Sequence, residues 1–521
     1  MENMEKSVKT LALAFIILMS IAIQSMAQLH GTSPNWTTPI PLPKPNAMGY
    51  ESKGGIGQNI IRLSSGELIQ CFTENYPYPG GQTKIYFNKS TDDGVTWSIV
   101  NISNNPFLKT SVVSGPTFAV DTLDNIHVVW RRSAPTSDLY YAKFDKNFNL
   151  LIDTVRITQY KYDNSNVGSV YITVDRKNRV HVMWNDGSPE TSSSSSYFTK
   201  VMYRQSIDGG QTWNNQITLS DITTFKHAAF PRANFSGVTG NTLAIPWRQE
   251  VSSSNWDVWM AYSTDGGNNW NRINVANSDS AEWDPGIVVD KNNRIHLHYH
   301  EYKKNNLLFT TMEYKYTDNL GATWSPVVTL SPAGIRSQLS VFSYDYKTDI
   351  QCICWKDERD YVTALNTNAD VMCSFSTDGG NSWIGQEFVN DLDTVETIFK
   401  SVAVGSNGVI YVTFEYTDNT TGLRGLWFSK RISVIYSIEE IQNNTGYMIY
   451  PNPASNQINI ISTKNNFEMS VQIYNFMGAL VVETFTHNGS LDISSLQDGL
   501  YVLRIKEKDK WYTYKFIKNG L

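Results

Sequence analysis

Four short stretches of the chain gather side chains that can grip or cleave an acidic substrate. They are Arg131-Arg132, Arg248-Gln249-Glu250, His300-Glu301 and Lys356-Asp357-Glu358-Arg359. Guanidinium groups hold a carboxylate or sulfate through paired, charge-assisted hydrogen bonds. Arg131, Arg132, Arg248 and Arg359 are the candidates for that grip, with His300 beside them as a further ligand-binding side chain. A carboxyl group next to a glycosidic bond can protonate the leaving oxygen or act as a base. Glu250, Glu301 and Asp357 are the candidates for that catalytic work. The same charges can instead pair with one another and brace the loops that carry them. Trp130, Trp247 and Trp355 precede three of these stretches and could stack on sugar faces where exposed, although such aromatics more often belong to a core.

These stretches occupy equivalent places in a repeat. Phe72, Trp130, Trp184, Trp247, Tyr299, Trp355 and Phe414 each end a short apolar run, and they recur about every 57 residues. Ile295-His296-Leu297-His298-Tyr299 shows the period-2 alternation of such a run, and Ile287-Val288-Val289-Asp290 is the strand before it. A four-stranded unit with three turns fits the repeat length. Five units then carry a turn of one pattern, ending at Trp97, Trp213, Trp270, Trp324 and Trp383. Their Asp-Gly-Gly and Asp-Asn segments tolerate positive φ and reverse the chain. The carboxylate accepts hydrogen bonds from the turn, and the Trp plugs it from beneath. Asp92, Asp208, Asp265, Asp318 and Asp378 are therefore expected to be structural. Lys143 to Phe148 resembles a degenerate sixth copy without its Trp.

Seven units are counted, with six plus a flanking sheet as the competing count. The seventh lacks the Asp turn. Trp36 to Leu42 resembles Trp324 to Leu330, so an N-terminal strand is expected to complete the last unit and close a ring. Closure removes free sheet edges. Post-aromatic residues from distant parts of the chain would then converge at one mouth.

Composition narrows the function classes. The net charge is −6 and no long basic run occurs, which argues against a nucleic-acid partner. Four cysteines in 521 residues exclude a disulfide scaffold. Buried thiols are expected, one disulfide among Cys352, Cys354 and Cys373 is an open alternative, and the spacing offers no metal site. No cofactor motif is present. Residues 1–27 read as a signal peptide: Lys6 and Lys9 precede an apolar stretch, and Ser25-Met26-Ala27 supplies small residues for cleavage. No later segment reads as a membrane span, so the expected protein is exported through the periplasm and ends secreted or at the outer cell surface.

The chain changes character after about Ile435. Residues 436–446 read as a polar linker, and residues 447–521 as a small β-sandwich. Tyr450-Pro451-Asn452-Pro453, Gly499-Leu500-Tyr501-Val502-Leu503-Arg504-Ile505 and the Lys-rich end resemble the type A C-terminal sorting domain of the Bacteroidetes type IX secretion system. That resemblance implies the type IX export machinery as a partner. The Asp turns are similar to the Asp boxes, or BNR repeats, of the sialidase superfamily. They imply an all-β fold in which a seven-bladed, or else six-bladed, sialidase-like β-propeller over residues 28–435 precedes the small sandwich. A sialidase takes its first substrate arginine from a Phe/Tyr-Arg-Ile-Pro motif. The corresponding stretch here reads Gly57-Gln58-Asn59-Ile60-Ile61-Arg62-Leu63, so no sialidase catalytic residue is carried over. The expected function is glycan or glycoprotein binding, with sialidase-like hydrolysis of acidic glycans as the alternative.

Overall fold

The structure, a computed structural model, describes residues 35–45, 52–53, 59–74, 84–102, 113–132, 137–159, 167–187, 199–220, 227–252, 255–303, 306–332, 334–358, 369–389, 395–418, 424–431, 447–450, 454–462, 469–475, 479–486, 489–507 and 510–518. The expected signal peptide, the linker at 436–446 and Arg359 lie outside these residues. The chain divides into two units, residues 1–434 and 435–521. Both are all-β, and no helix is present among the described residues. None is therefore long and apolar enough to cross a membrane.

Alternating apolar residues make the strands of the first unit, and seven sheets form among its described residues. We number them in chain order. Sheet 2 shows the plan: Val113–Val120, Ile126–Arg132, Asp138–Phe144 and Leu150–Arg156 pair antiparallel in succession. Sheet 1 is centred on Leu68–Glu74 and Lys84–Ser90, sheet 3 on Val180–Asp186 and Lys200–Ser206, and sheet 4 on Leu243–Ser252 and Asn255–Ser263. Sheet 5 is centred on Ala281–Val289, Ile295–Lys303 and Asn306–Thr317, and sheet 6 on Ser337–Asp345, Ile350–Asp357 and Asp370–Ser376. Sheet 7 contains Val395–Val404, Ile410–Asp418 and Arg424–Arg431. Each sheet packs on the next, and sheet 7 returns to sheet 1. Ile40–Pro41 supplies the fourth strand of sheet 7, pairing Ile40 with Phe428 and Pro41 with Trp427.

The core lies between sheets. Trp130, Trp184, Trp247 and Trp355 are fully buried there. That corrects one expectation: Trp130, Trp247 and Trp355 are not exposed rings for sugar stacking. Period-2 alternation cannot say whether a ring at a strand end meets solvent or the neighbouring sheet.

The Asp turns join neighbouring sheets. In the turn of sheet 3, Asp208 Oδ1 accepts from Thr212 N at 2.8 Å and Asp208 Oδ2 from Thr212 Oγ1 at 2.6 Å. Trp213 then meets Tyr141 of sheet 2 edge-on, with ring centroids 5.1 Å apart. Trp270 meets Tyr203 at 5.0 Å, Trp383 meets Tyr314 at 4.6 Å, and Trp97 meets Phe428 of sheet 7 at 5.0 Å. The last contact links first sheet to last. Behind three of these rings lies a buried relay. Tyr141, Tyr203 and Tyr314 hydroxyls bond Nδ1 of His127, His181 and His296, whose Nε2 atoms face Asp121, Asp175 and Asp290. Burial keeps each imidazole pKa below its usual value despite the carboxylate.

Two local departures matter. In the turn of sheet 5, Asn319 takes the capping place, accepting from Thr323 N at 2.9 Å. Asp318 instead pairs with Arg294 at 2.7 Å. The Asp145 turn caps itself through Asn147 and Asn149, and Phe148 replaces the Trp by packing on Phe87 at 5.0 Å. In the second unit, the strands Tyr447–Tyr450, Gln457–Ser462 and Ser490–Asp492 form one sheet. Leu480–Thr486, Met469–Asn475, Gly499–Glu507 and Lys510–Lys518 form the other. Ile458, Val471, Ile473, Leu503, Ile505 and Phe516 fill its core.

Candidate functional site

Within each sheet the second strand ends where the first begins, so the post-aromatic residues and the first-strand starts share one end of the unit. The Asp turns occupy the other. First strands are irregular at this end. Their register shifts between Ser114 and Thr117, between Trp283 and Gly286, and between Gln338 and Val341. Gly115, Asp284 and Leu339 adopt positive φ there, at 56°, 46° and 53°. Such bulges re-aim side chains.

The bulge at Asp284 faces Arg248. The Arg248 guanidinium lies 3.8 Å from the Trp283 ring centroid, 4.4 Å from that of Phe230 and 4.7 Å from that of Trp256. Its Nε and Nη1 are buried without a hydrogen-bond partner among the described residues. Burial holds its pKa below the usual arginine range. Trp283 also meets Trp256 at 5.9 Å and Tyr302 at 5.5 Å. Arg248 thus sits in an aromatic cage between sheets 4 and 5.

His300 borders this cage, edge-on to Tyr302 at 5.5 Å. It is buried, and its Nδ1 has no partner among the described residues. Burial brings its pKa down to about 4; Asp284 opposes that, and the charges of Arg232, Arg248 and Arg336 reinforce it. The imidazole is neutral at pH 7. Three arginines therefore act on one histidine, but two are already engaged. Arg232 donates to the backbone carbonyls of Ser340, Asp284 and Pro285. Arg336 pairs with Glu358 at 3.2 Å, and Glu358 also binds Lys356 at 2.8 Å.

The other expected residues are dispersed around the same end. Glu250 is two residues from Arg248 on the same strand and lies 4.0 Å from His227 Nε2. Its Oε2 has no other partner among the described residues. Glu301 faces Ser278 Oγ at 3.5 Å. Asp357 is fully buried. Arg131 is tied by Nε to Ser114 Oγ at 3.0 Å and by Nη1 to the Val167 carbonyl at 3.2 Å. It lines a separate cavity of about 250 Å³ with Gly168, Ser169 and Asn185. Arg132 is half-buried. The structure thus brings Arg248, Glu250 and His300 to neighbouring sheets 4 and 5 and leaves Arg131 in another sheet pair. A larger cavity of about 410 Å³ opens at the opposite end, lined by Arg62, Asp124, Arg176 and Tyr346 among others, away from these groups.

Three contributors escaped the sequence reading. Trp256 and Trp283 build the cage, and Glu282 sits next to it. The Glu282 pKa is pushed up to about 7 by burial, with Asp257 and Glu301 adding to the rise against hydrogen bonds from Ser278. Glu282 pairs in register with Glu301, and Trp283 with His300. Glu301 shares its strand face with Leu297 and Tyr299, which pack against sheet 4, and Asp257 of sheet 4 acts on Glu282, so both carboxyls are turned towards sheet 4. The available signal was positional: third-strand and first-strand starts share the mouth with second-strand ends.

Comparison with known proteins bears on the fold. Residues 157–412 match the BNR repeat-like domain, and residues 448–519 match the secretion system C-terminal sorting domain. No curated protein sequence matches the chain. An ulvan lyase of a polysaccharide lyase family superposes with a TM-score of 0.50 at 11% identity, over 76% of this chain and 99% of that one. A Hadza microbial sialidase gives a TM-score of 0.39 at 14% identity, over 74% of this chain and 66% of that one. A Trypanosoma rangeli sialidase in complex with 2,3-difluorosialic acid gives 0.44 at 9% identity, over 94% and 90%. The chain therefore carries a BNR repeat-like domain in an all-β fold and a type IX sorting domain. The sorting domain directs it to secretion or the outer surface.

Proposed function

We propose that this exported chain, a BNR repeat-like propeller joined to a sorting domain, binds acidic glycans at the Arg248 cage. The single observation carrying the reading is a buried guanidinium with two unpartnered nitrogens, flanked by three aromatic rings. Leaving charged donors unpaired and out of water is costly. A carboxylate or sulfate on a sugar would supply the missing acceptors, and the rings around the cation suit the apolar faces of a pyranose. Neutral His300 and the Glu250 carboxylate stand beside it as hydrogen-bonding groups for sugar hydroxyls.

Hydrolysis is the second reading. Glu282 favours it, because a carboxyl group with a pKa of about 7 can donate a proton near neutrality. Titrating the exported protein with uronic-acid and sulfated oligosaccharides, alongside a fluorogenic glycoside panel, separates the two. Binding lost in Arg248→Gln without turnover in the wild type supports the first reading. Turnover lost in Glu282→Gln with binding retained supports the second. Binding that Arg248→Gln leaves unchanged defeats the proposed site.

A further inference from the structure

Three of the four cysteines meet inside sheet 6. Cys352 and Cys354 are two residues apart on Ile350–Asp357, so they share a face. Cys373 lies directly opposite Cys354 on Asp370–Ser376. Ile353 and Trp355 pack towards Val288 and Tyr314 of sheet 5, so the cysteines occupy the face turned to sheet 7. All three are fully buried. The Cys352 sulfur is 2.9 Å from that of Cys373 and 3.6 Å from that of Cys354. The shorter separation is closer than two unbonded sulfur atoms ordinarily pack. The sorting domain takes the chain out of the reducing cytoplasm, into a compartment where disulfides form and persist.

We infer that the exported protein carries a Cys352–Cys373 disulfide with Cys354 retained beside it as a thiol. The oxidant is the disulfide of a thiol–disulfide oxidoreductase. The Cys352 thiolate attacks one sulfur of that disulfide, forming a mixed disulfide and releasing the oxidoreductase's other sulfur as a thiolate. The Cys373 thiolate then attacks the Cys352 sulfur. The Cys352–Cys373 bond forms, the mixed disulfide breaks, and the oxidoreductase leaves as a dithiol carrying the two electrons and two protons. In the folded chain burial raises the Cys352 pKa, but hydrogen bonds from Cys354 and Cys373 outweigh it and bring it down to about 6. Full burial places the exchange on the folding chain, before sheet 7 covers this face. The bond would tie the two strands that bracket residues 358–369.

The test uses the chain recovered from the medium or surface of a type IX-competent host. It is unfolded without reductant, alkylated with iodoacetamide and mapped by mass spectrometry, with fragmentation between Cys352 and Cys354. The expected result is alkylation of Cys71 and Cys354 only, and a linked Cys352–Cys373 pair two hydrogens lighter than the dithiol. Cys354→Ser keeps that link, and Cys373→Ser leaves Cys352 alkylated. Four alkylated cysteines, a link through Cys354, or a stoichiometric metal ion in the native mass spectrum would each overturn the inference.

Discussion

Arg248 exchanges hydration for contact with Phe230, Trp256 and Trp283, and that exchange leaves its charge in need of an acceptor. Hydrogen bonds to charged groups contribute about 1.5–3 kcal/mol. Arg248→Gln should therefore weaken acidic-glycan binding roughly 10- to 100-fold, measured by calorimetric titration. Glu282 makes a separate prediction. Its folded pKa of about 7 stands above the ordinary glutamate value of 4.5, so between these values the folded state holds a proton that the unfolded chain has lost. Stability should fall as pH rises from about 4.5 to about 7 and level off above. Glu282→Gln should flatten that slope in denaturant titrations; an unchanged slope would remove Glu282 as its source. The sequence made Arg248, Glu250 and His300 legible, because each follows a strand-ending aromatic. Trp256 and Trp283 stayed hidden because they reach the mouth from the third and first strands, and only the bulge at Asp284 accounts for Trp283 turning onto Arg248.

At the scale of the element, the Asp turn is both a hairpin and a joint between sheets. Gly210 has a φ of 98°, and a Cβ there would lie 2.0 Å from the Tyr141 hydroxyl. Both faults act together in Gly210→Ala, which should destabilise the first unit by about 1–3 kcal/mol or more, where an unstrained glycine replacement would stabilise it. Its melting temperature should drop while that of Gly379→Ala, with open space around its Cβ, drops less. The turns were the most legible elements of the chain, since their bonds are local and their residue types follow from positive φ. The cap at Asn319 corrects the expectation for Asp318, and counting five residues back from Trp324, as in the other turns, gives the right residue. The Asp–His–Tyr relays were not legible, because they join residues on three strands whose relative register the sequence does not print.

The whole first unit depends on its two ends meeting. Thr37 N donates to the Lys430 carbonyl at 2.9 Å and Leu42 N to that of Leu426 at 2.8 Å. Trp36 Nε1 reaches Glu387 of sheet 6, which Arg431 of sheet 7 also holds at 2.6 Å. Removing residues 28–45 would strip the outer strand from sheet 7 and expose the edge of Arg424–Arg431. The truncated chain should melt earlier and self-associate in size-exclusion chromatography; an unchanged monomer with an unchanged melt would contradict the role given to this strand. The likeness of Trp36–Leu42 to Trp324–Leu330 made that closure readable. The strand Ala233–Asn234 was not readable: it leaves sheet 4 through Phe230 at a φ of 60° and pairs parallel to Ala281–Val289 of sheet 5. That crossing brings Phe230 and Arg232 to the cage, a consequence of tertiary packing rather than of any local pattern. The most direct measurement on the glycan-binding mouth is calorimetric titration of the exported protein and its Arg248→Gln variant, at matched thermal stability, with a uronic-acid oligosaccharide and its carboxyl-reduced neutral counterpart. The expected result is salt-sensitive binding of the acidic sugar alone, lost in the variant. Equal affinity for both sugars, or affinity untouched by the substitution, would contradict it.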